Sequence, residues 1–524
     1  MIQPRKYLSA KGLLTITRDK FSKISRSRGL AKRSSKPIDL ADCLMSGLAM
    51  FSMKFPSLLQ FDGQSKHDGI IKRNLRTLYQ IDQIPSDTYL RERLDEADPR
   101  EIRKVFKTIF AFLQRGKALE EYTYLDGYYL MPMDMTGFFS SSSIHCDNCC
   151  IKQRYKPGLL LAEDVPKNIN ALSSNIYLLC GGGYNSWELF YINDEKKLDP
   201  IEIDSVPKLK EFLFGRPRKN IKLSHSDGLK KIISDYHDKK FEGKYTYYHN
   251  MMCAAIVHPD KKVVLPLAPE PVLKNDGSIK NDCERNSAKR LIGDIRREHP
   301  HLKLIAVQDA LGANYPNLQE LKFANMRFIV GVKYGDHKAL FDLVNNTDYQ
   351  EHLHTTEDGK IHRYRFINGV PLNRSACFDV NFIEYWETDK KGNQKHFSWI
   401  TDIRITNENI YQIMKGGRTN WRIENNTFNT LKNKGYHFSH NFGHGYKNLC
   451  TIFGMLMMLA FLVDQIQELT YGLFKKARNK FTSRILLWTN MKSLFTSYII
   501  ASWEDLYNAI AHGHAGSILT PNTS

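Results

Sequence analysis

Three acidic residues, Asp134, Asp309 and Glu424, stand where the surrounding pattern suits a carboxylate for ion binding. Phosphoryl transfer on nucleic acid commonly uses two divalent ions roughly 4 Å apart, one beside the attacking oxygen and one beside the leaving oxygen. Mg²⁺ or Mn²⁺ in such a site takes hard oxygen ligands, which carboxylates supply. Asp134 closes the strand-forming run YLDGYYLMPMD, and Asp309 follows the short apolar run 302–307, so both acids can meet at one sheet edge. Taken singly, an Asp after a strand is an ordinary turn residue. Glu424 lies in GRTNWRIENNTFNTLKNKGYHFSHNFGHG, where Trp421, Phe428 and Leu431 mark an apolar helix face. Arg418, Arg422 and Lys432 surround it with cations suited to phosphate; the plainer alternative is a helix with an exposed ion pair.

A second group of residues has the chemistry of a tetrahedral metal site. Cys146 and Cys149 form a CxxC beside His145, His249 and Cys253 begin a later strand-like run, and Cys283 opens a polar helix in NDCER. Thiolate and imidazole donors in this number suit Zn²⁺. Cys146, Cys149, His249 and Cys283 are the expected structural zinc ligands, with Cys150 and Cys253 as spares; the alternative is that the cysteines are small buried hydrophobes. His437, His440 and His444 lie across a glycine-containing turn whose spacing does not suggest a metal site. They are expected to approach DNA, His440 foremost, or to make structural hydrogen bonds.

These residues need an α/β scaffold. Residues 1–120 read as a basic arm followed by helices that could dock on DNA, and 121–150 as the first part of a core. Residues 151–244 form an inserted module of uncertain role that contains Cys180-Gly181-Gly182-Gly183 and Arg216-Pro217-Arg218-Lys219. The core is expected to resume over 245–333, with a β-rich insertion at 334–406, the Glu424 helix region at 407–450 and a helical region at 451–524.

The chain has 524 residues and a formal net charge of +19. A field of that sign attracts polyanions, and nucleic acid is the expected partner. Much of the charge lies in residues 1–36, where Arg26, Arg28, Lys32 and Arg33 are candidate phosphate contacts. Hydrophobic residues make up 42% and charged residues 25%, which excludes a disordered chain. Nine cysteines, an odd number with an adjacent pair, fit a secreted disulfide scaffold poorly. No secretory signal is read at the start. The apolar run 449–463 is shorter than the roughly 20 residues of a helical span, so it is expected to be a core helix rather than a membrane anchor.

LMPMDMTGFFSSSSIHCDNC, LKLIAVQDALGANYPNLQELK and FSWITDIRIT, followed by the Glu424 segment, together resemble the IS4-like transposases with a DDE triad. The resemblance is to the branch with a His-Cys motif after the first Asp, and it spans roughly 80–150 and 245–450. It implies an RNase H-like catalytic core, a β-rich insertion between the second Asp and the Glu, and two-metal cleavage and strand transfer. The family's two Asp and one Glu fall on Asp134, Asp309 and Glu424. Of the Tyr, Arg and Lys that accompany the Glu there, Trp421 holds the aromatic position, Arg418 or Arg422 the Arg, and Lys432, slightly further on than usual, the Lys. The long 151–244 segment departs from the pattern. Implied partners are double-stranded DNA with transposon terminal repeats, target DNA and a second copy of the chain, acting in the cytoplasm at the nucleoid. A nuclease of the same fold, or a domesticated DNA-binding relative, is the alternative.

Overall fold

The computed structural model describes residues 4–24, 38–153, 176–180, 187–192, 198–201, 245–277, 280–356, 359–373, 378–513 and 519–521. The chain divides into two compact units, one of residues 1–140, 145–150 and 249–524, the other of 141–144 and 151–248. The expected DNA contacts Arg26, Arg28, Lys32 and Arg33, and the Arg216–Lys219 run, lie outside the described residues.

The strands in chain order are β1 Tyr129–Ser141, β2 Cys150–Gln153, β3 Ile176–Cys180, β4 Trp187–Ile192, β5 Leu198–Ile201, β6 Tyr245–Ile256, β7 Leu265–Pro266 and β8 Glu270–Pro271. They continue as β9 Leu304–Gln308, β10 Arg327–Gly331, β11 Gln350–Thr355, β12 Ile361–Pro371, β13 Asp379–Thr388 and β14 Gln394–Thr401. In the smaller unit β3, β4 and β5 form an antiparallel sheet, with Leu178 opposite Leu189.

The large sheet runs β11-β12-β13-β14-β10-β9-β1-β6-β2, with β7 and β8 both paired to β6. Its centre is parallel: β1 pairs with β9 from Tyr129–Leu304 to Pro132–Val307, and β9 pairs with β10 from Ile305–Arg327 to Gln308–Val330. All five residues of β9 are buried, as expected for a strand covered on both faces. β14 then joins β10 antiparallel, so the meander β11–β14 extends the central sheet instead of standing apart. Helix Ile410–Gly417 returns the chain over β9 and β10. Its Gly-Gly end permits that approach: a Cβ on Gly416 would lie 3.1 Å from Ile329 Cδ1, and one on Gly417 only 2.7 Å from Trp399 Nε1.

The helices before Tyr122 pack against the C-terminal ones. Helix Leu40–Ser52 is buried along its whole length and lies on Leu449–Thr470, which also touches Asp87–Asp95 and Pro99–Arg115. Leu449–Thr470 has 22 residues, enough by length and composition to cross a membrane, and its apolar window is buried inside the protein. The sequence reading ended its apolar run at Asp464, but the helix continues because each polar group there finds a partner. Asp464 pairs with Lys54 at 2.7 Å and accepts from the Tyr436 hydroxyl at 2.6 Å. Gln465 accepts from the Val264 N–H, and Gln467 from the Tyr507 hydroxyl. Lys54 Nζ also lies 4.1 Å from the Tyr436 ring centroid and 4.3 Å from that of Trp488. A buried ion is tolerable when its donors are filled in this way.

Candidate active site and metal centre

Asp134 and Asp309 each lie two residues beyond the registered pair Pro132–Val307, so adjacent parallel strands carry them side by side; Asp309 follows the end of β9, whereas Asp134, expected to close its strand, lies midway along β1, which runs on to Ser141. Asp134 is half-buried, and its Oδ1 accepts the Met135 N–H at 2.7 Å. Asp309 is exposed and caps the turn Ala310–Gly312 by accepting the Leu311 N–H at 3.0 Å. The turn reading and the ligand reading are therefore compatible, since the cap uses one carboxylate oxygen. Behind Asp309, Gln308 accepts from Asn317 Nδ2 at 2.6 Å, and a Cβ on Gly312 would strike the Gln308 side chain. Glu284, a carboxylate overlooked in the sequence reading, lines the same small cavity as Asp309.

Glu424 is exposed on Ile423–Phe428, a π-helical turn. The short turn Arg418–Asn420 links it back to β9. π turns widen the helix by one residue and recur at functional sites. Lys432, further along, is exposed. Burial pushes the Cys253 thiol well above its ordinary range, Asp134 pushes it further and Lys432 opposes, so β1 and the Glu424 segment direct opposite charges at one thiol.

A cavity of about 350 Å³ opens beside this segment, lined by Lys360, His362, Tyr411, Lys415, Arg418 and Trp421 among others. One wall is a polar chain: His362 Nδ1 lies 2.7 Å from the Tyr385 hydroxyl, which donates to Glu387 Oε2 at 3.1 Å, and Arg418 donates to the same oxygen at 2.7 Å. Burial alone would raise the Glu387 carboxyl, but the Arg418 hydrogen bond and charge hold it below its ordinary range. The two candidate arginines have different surroundings. Arg422 is buried and donates to the carbonyls of Pro259 and, at 2.6 Å, Lys261, with its guanidinium 4.9 Å from the Trp421 ring centroid. Its terminal nitrogens thus tie the helix to the turn at Pro259–Lys261. His440 is exposed, edge-on to Phe442.

The cysteines and histidines form a separate centre. Cys146, Cys149, His249 and His444 converge, each with one ligand atom within 4.8 Å of the others. Cys283, expected as the fourth ligand, is not among them: its thiol donates to the Gly277 carbonyl at 3.4 Å, and it lies close to Cys150. His444 takes the place instead, presented by Gly443 (φ +136°) and Gly445 (φ +69°). A Cβ on Gly445 would collide with the Asp95 carboxylate and lie 2.6 Å from Leu449 Cβ. Asp95 accepts the N–H groups of Tyr446, Lys447, Asn448 and Leu449, at 2.9–3.0 Å, and so caps the entry to the long helix. The GHG triplet was the available signal. It was missed because its spacing from the CxxC is set by the fold and not by local sequence.

No family model matches the chain, and no curated protein matches it. Among solved structures it is similar to a piggyBac transposase synaptic complex with hairpin DNA, at 10% identity and a TM-score of 0.36, covering 100% of this chain and 86% of that one.

Proposed function

We propose that the protein is a DNA transposase of the DDE type on an RNase H-like core, cutting at transposon ends and joining the cut strand to new DNA. The observation that carries this reading is the side-by-side placement of Asp134 and Asp309, followed by the β11–β14 meander and then the helical segment bearing Glu424. A strand order with parallel β1, β9 and β10 and an antiparallel β6 beside β1 fits an RNase H-like core. The helices before residue 120 would form the DNA-docking part, and residues 151–244 an added module.

Adjacent strands carry Asp134 and Asp309 side by side, but these two and Glu424 are not gathered within ligand distance of one another; as hard oxygen donors they would hold two Mg²⁺ or Mn²⁺ ions with Glu424 drawn to the Asp pair. The ions, when bound, polarise the attacking oxygen and stabilise the leaving one. Water attacks the phosphorus at the element's end and the P–O3′ bond breaks, leaving a 3′-OH. That hydroxyl then attacks a second phosphodiester, in the other strand or in target DNA, and displaces its 3′ oxygen. No covalent protein intermediate is required. Lys432 would neutralise the transferring phosphate, with Arg418 or Arg422 as its partner. Trp421, 48% exposed at that cavity, would stack on a base, an interaction worth roughly 1–3 kcal/mol. Pairing of two element ends calls for a dimer, acting in the cytoplasm at the nucleoid.

The test is cleavage of supercoiled DNA carrying the flanking terminal repeats, with Mg²⁺, comparing the wild type with Asp309→Asn. Excised and joined products from the wild type, reduced at least about 1000-fold in the variant at unchanged thermal midpoint, are expected. Cutting without joining would replace this reading with a nuclease of the same fold. Binding without cutting, in Mn²⁺ as well, would leave a DNA-binding relative.

A further inference from the structure

The geometry points to a structural zinc site formed by Cys146, Cys149, His249 and His444, which ties the turn after β1 to the entry of the long helix. The separations of the four ligand atoms match the edges of a metal tetrahedron. With Zn–S near 2.3 Å and Zn–N near 2.05 Å, a regular tetrahedron has edges of about 3.8 Å for S–S, about 3.6 Å for S–N and about 3.3 Å for N–N. Cys146 Sγ and Cys149 Sγ are 3.9 Å apart, and the two Nε2 atoms 3.1 Å. The sulfur–nitrogen edges are 3.5 Å for Cys146–His249, 3.3 Å for Cys149–His249 and 3.2 Å for Cys149–His444. Five edges thus match within about 0.4 Å of the ideal values. The sulfurs are far too distant for a disulfide, whose bond is about 2.05 Å.

The surroundings agree with a cation. His444 Nδ1 lies 2.9 Å from the Gly445 carbonyl, a contact that orients the ring with Nε2 towards the cluster. There Nε2 meets a second imidazole nitrogen and a sulfur, beside Phe138 and Phe139, whose rings pack on His249 and His444. Three of the four residues are buried, and all four corners are protein ligands. A closed site of this composition is structural rather than catalytic. Its ligands come from the turn after β1, from β6 and from the GHG triplet that Asp95 caps, so filling it joins three elements.

The experiment is metal analysis of the full-length chain purified without added metal. About one zinc ion per chain is expected in the wild type and in Cys283→Ser, and under about 0.2 in His444→Ala. His444→Cys, which restores a tetrahedral donor, is expected to recover zinc and serves as the folding control. Replacement by Co²⁺ should give the strong visible absorption of a tetrahedral thiolate site, and a chelator should lower the thermal midpoint by about 5 °C or more. A wild-type chain without zinc, a Cys146–Cys149 disulfide found by mass, or zinc lost in Cys283→Ser but kept in His444→Ala would overturn the assignment. The site stands apart from the proposed chemistry: Asp309→Asn should keep its zinc, so a chain that holds zinc but never cuts DNA would refute only the transposase reading.

Discussion

At His299 burial and neighbouring charge act in the same direction. The residue is 5% exposed, lies edge-on to Phe110 with ring centroids 5.3 Å apart, and its Nε2 has no hydrogen-bond partner among the described residues. Burial, followed by the positive charges of Lys107, Arg103 and Arg296, lowers its pKa from 6.5 to about 4. The unfolded chain therefore takes up the proton first as the pH falls. Stability from this group is complete above about pH 6.5, is lost progressively towards pH 4, and the full loss is about 3 kcal/mol. Urea titrations at pH 7 and pH 4.5 should show the decline, and His299→Gln should flatten the part this residue contributes. A variant as pH-sensitive as the wild type would show that other groups dominate. At this scale the sequence was partly legible. Asp134 and Asp309 drew attention because an apolar run precedes each, a local signal, and their side-by-side placement on β1 and past β9 agrees with that signal. His444 was not, because nothing near it in sequence announces Cys146 or His249, and Cys283 drew attention only by being a cysteine at a helix start.

Among the elements, the π turn Ile423–Phe428 gives the clearest lever. It inserts one residue between Glu424 and Lys432 relative to an α-helix, and each residue of an α-helix turns by about 100°. Deleting the exposed Asn425 should let the segment close into an α-helix, retaining far-UV circular dichroism while turning Glu424 away from its present direction relative to Lys432. Cleavage should drop by more than about 100-fold, as is usual for a misplaced catalytic group. Full activity in the deletion variant would separate the π turn from function. No hydrophobic pattern in IENNTF distinguishes a π turn from an α one, so this feature was invisible in sequence. The Gly416-Gly417 pair was visible as residues but not as a seat for Ile329 and Trp399, since those partners come from β10 and β14. The sequence reads 334–406 as a β-rich insertion, and four strands between 350 and 401 fall within it, whereas their union with β10 depends on pairing that the local pattern does not encode.

Across the whole molecule the net charge of +19 sets how a DNA partner, on the proposed function, would be held. If six to ten phosphates are neutralised, affinity should fall by about 10³–10⁵ between 50 and 200 mM salt, whatever the DNA sequence. A fluorescence-anisotropy series with salt checks this, and a flat response would mean that the positive surface does not meet phosphate. The front and rear of the chain are also interleaved. Asn74 donates to the carbonyls of Phe495 and Tyr498, Lys54 pairs with Asp464, and helix Leu40–Ser52 lies on Leu449–Thr470. While a ribosome is still making the middle of the protein, the first helices can pack only on one another, and the face of Leu40–Ser52 that lies on Leu449–Thr470 stays uncovered until that helix has been made. A nascent chain should therefore carry that exposed apolar face until the long helix is made, and a premature stop before it should yield an aggregation-prone fragment rather than a stable shortened protein.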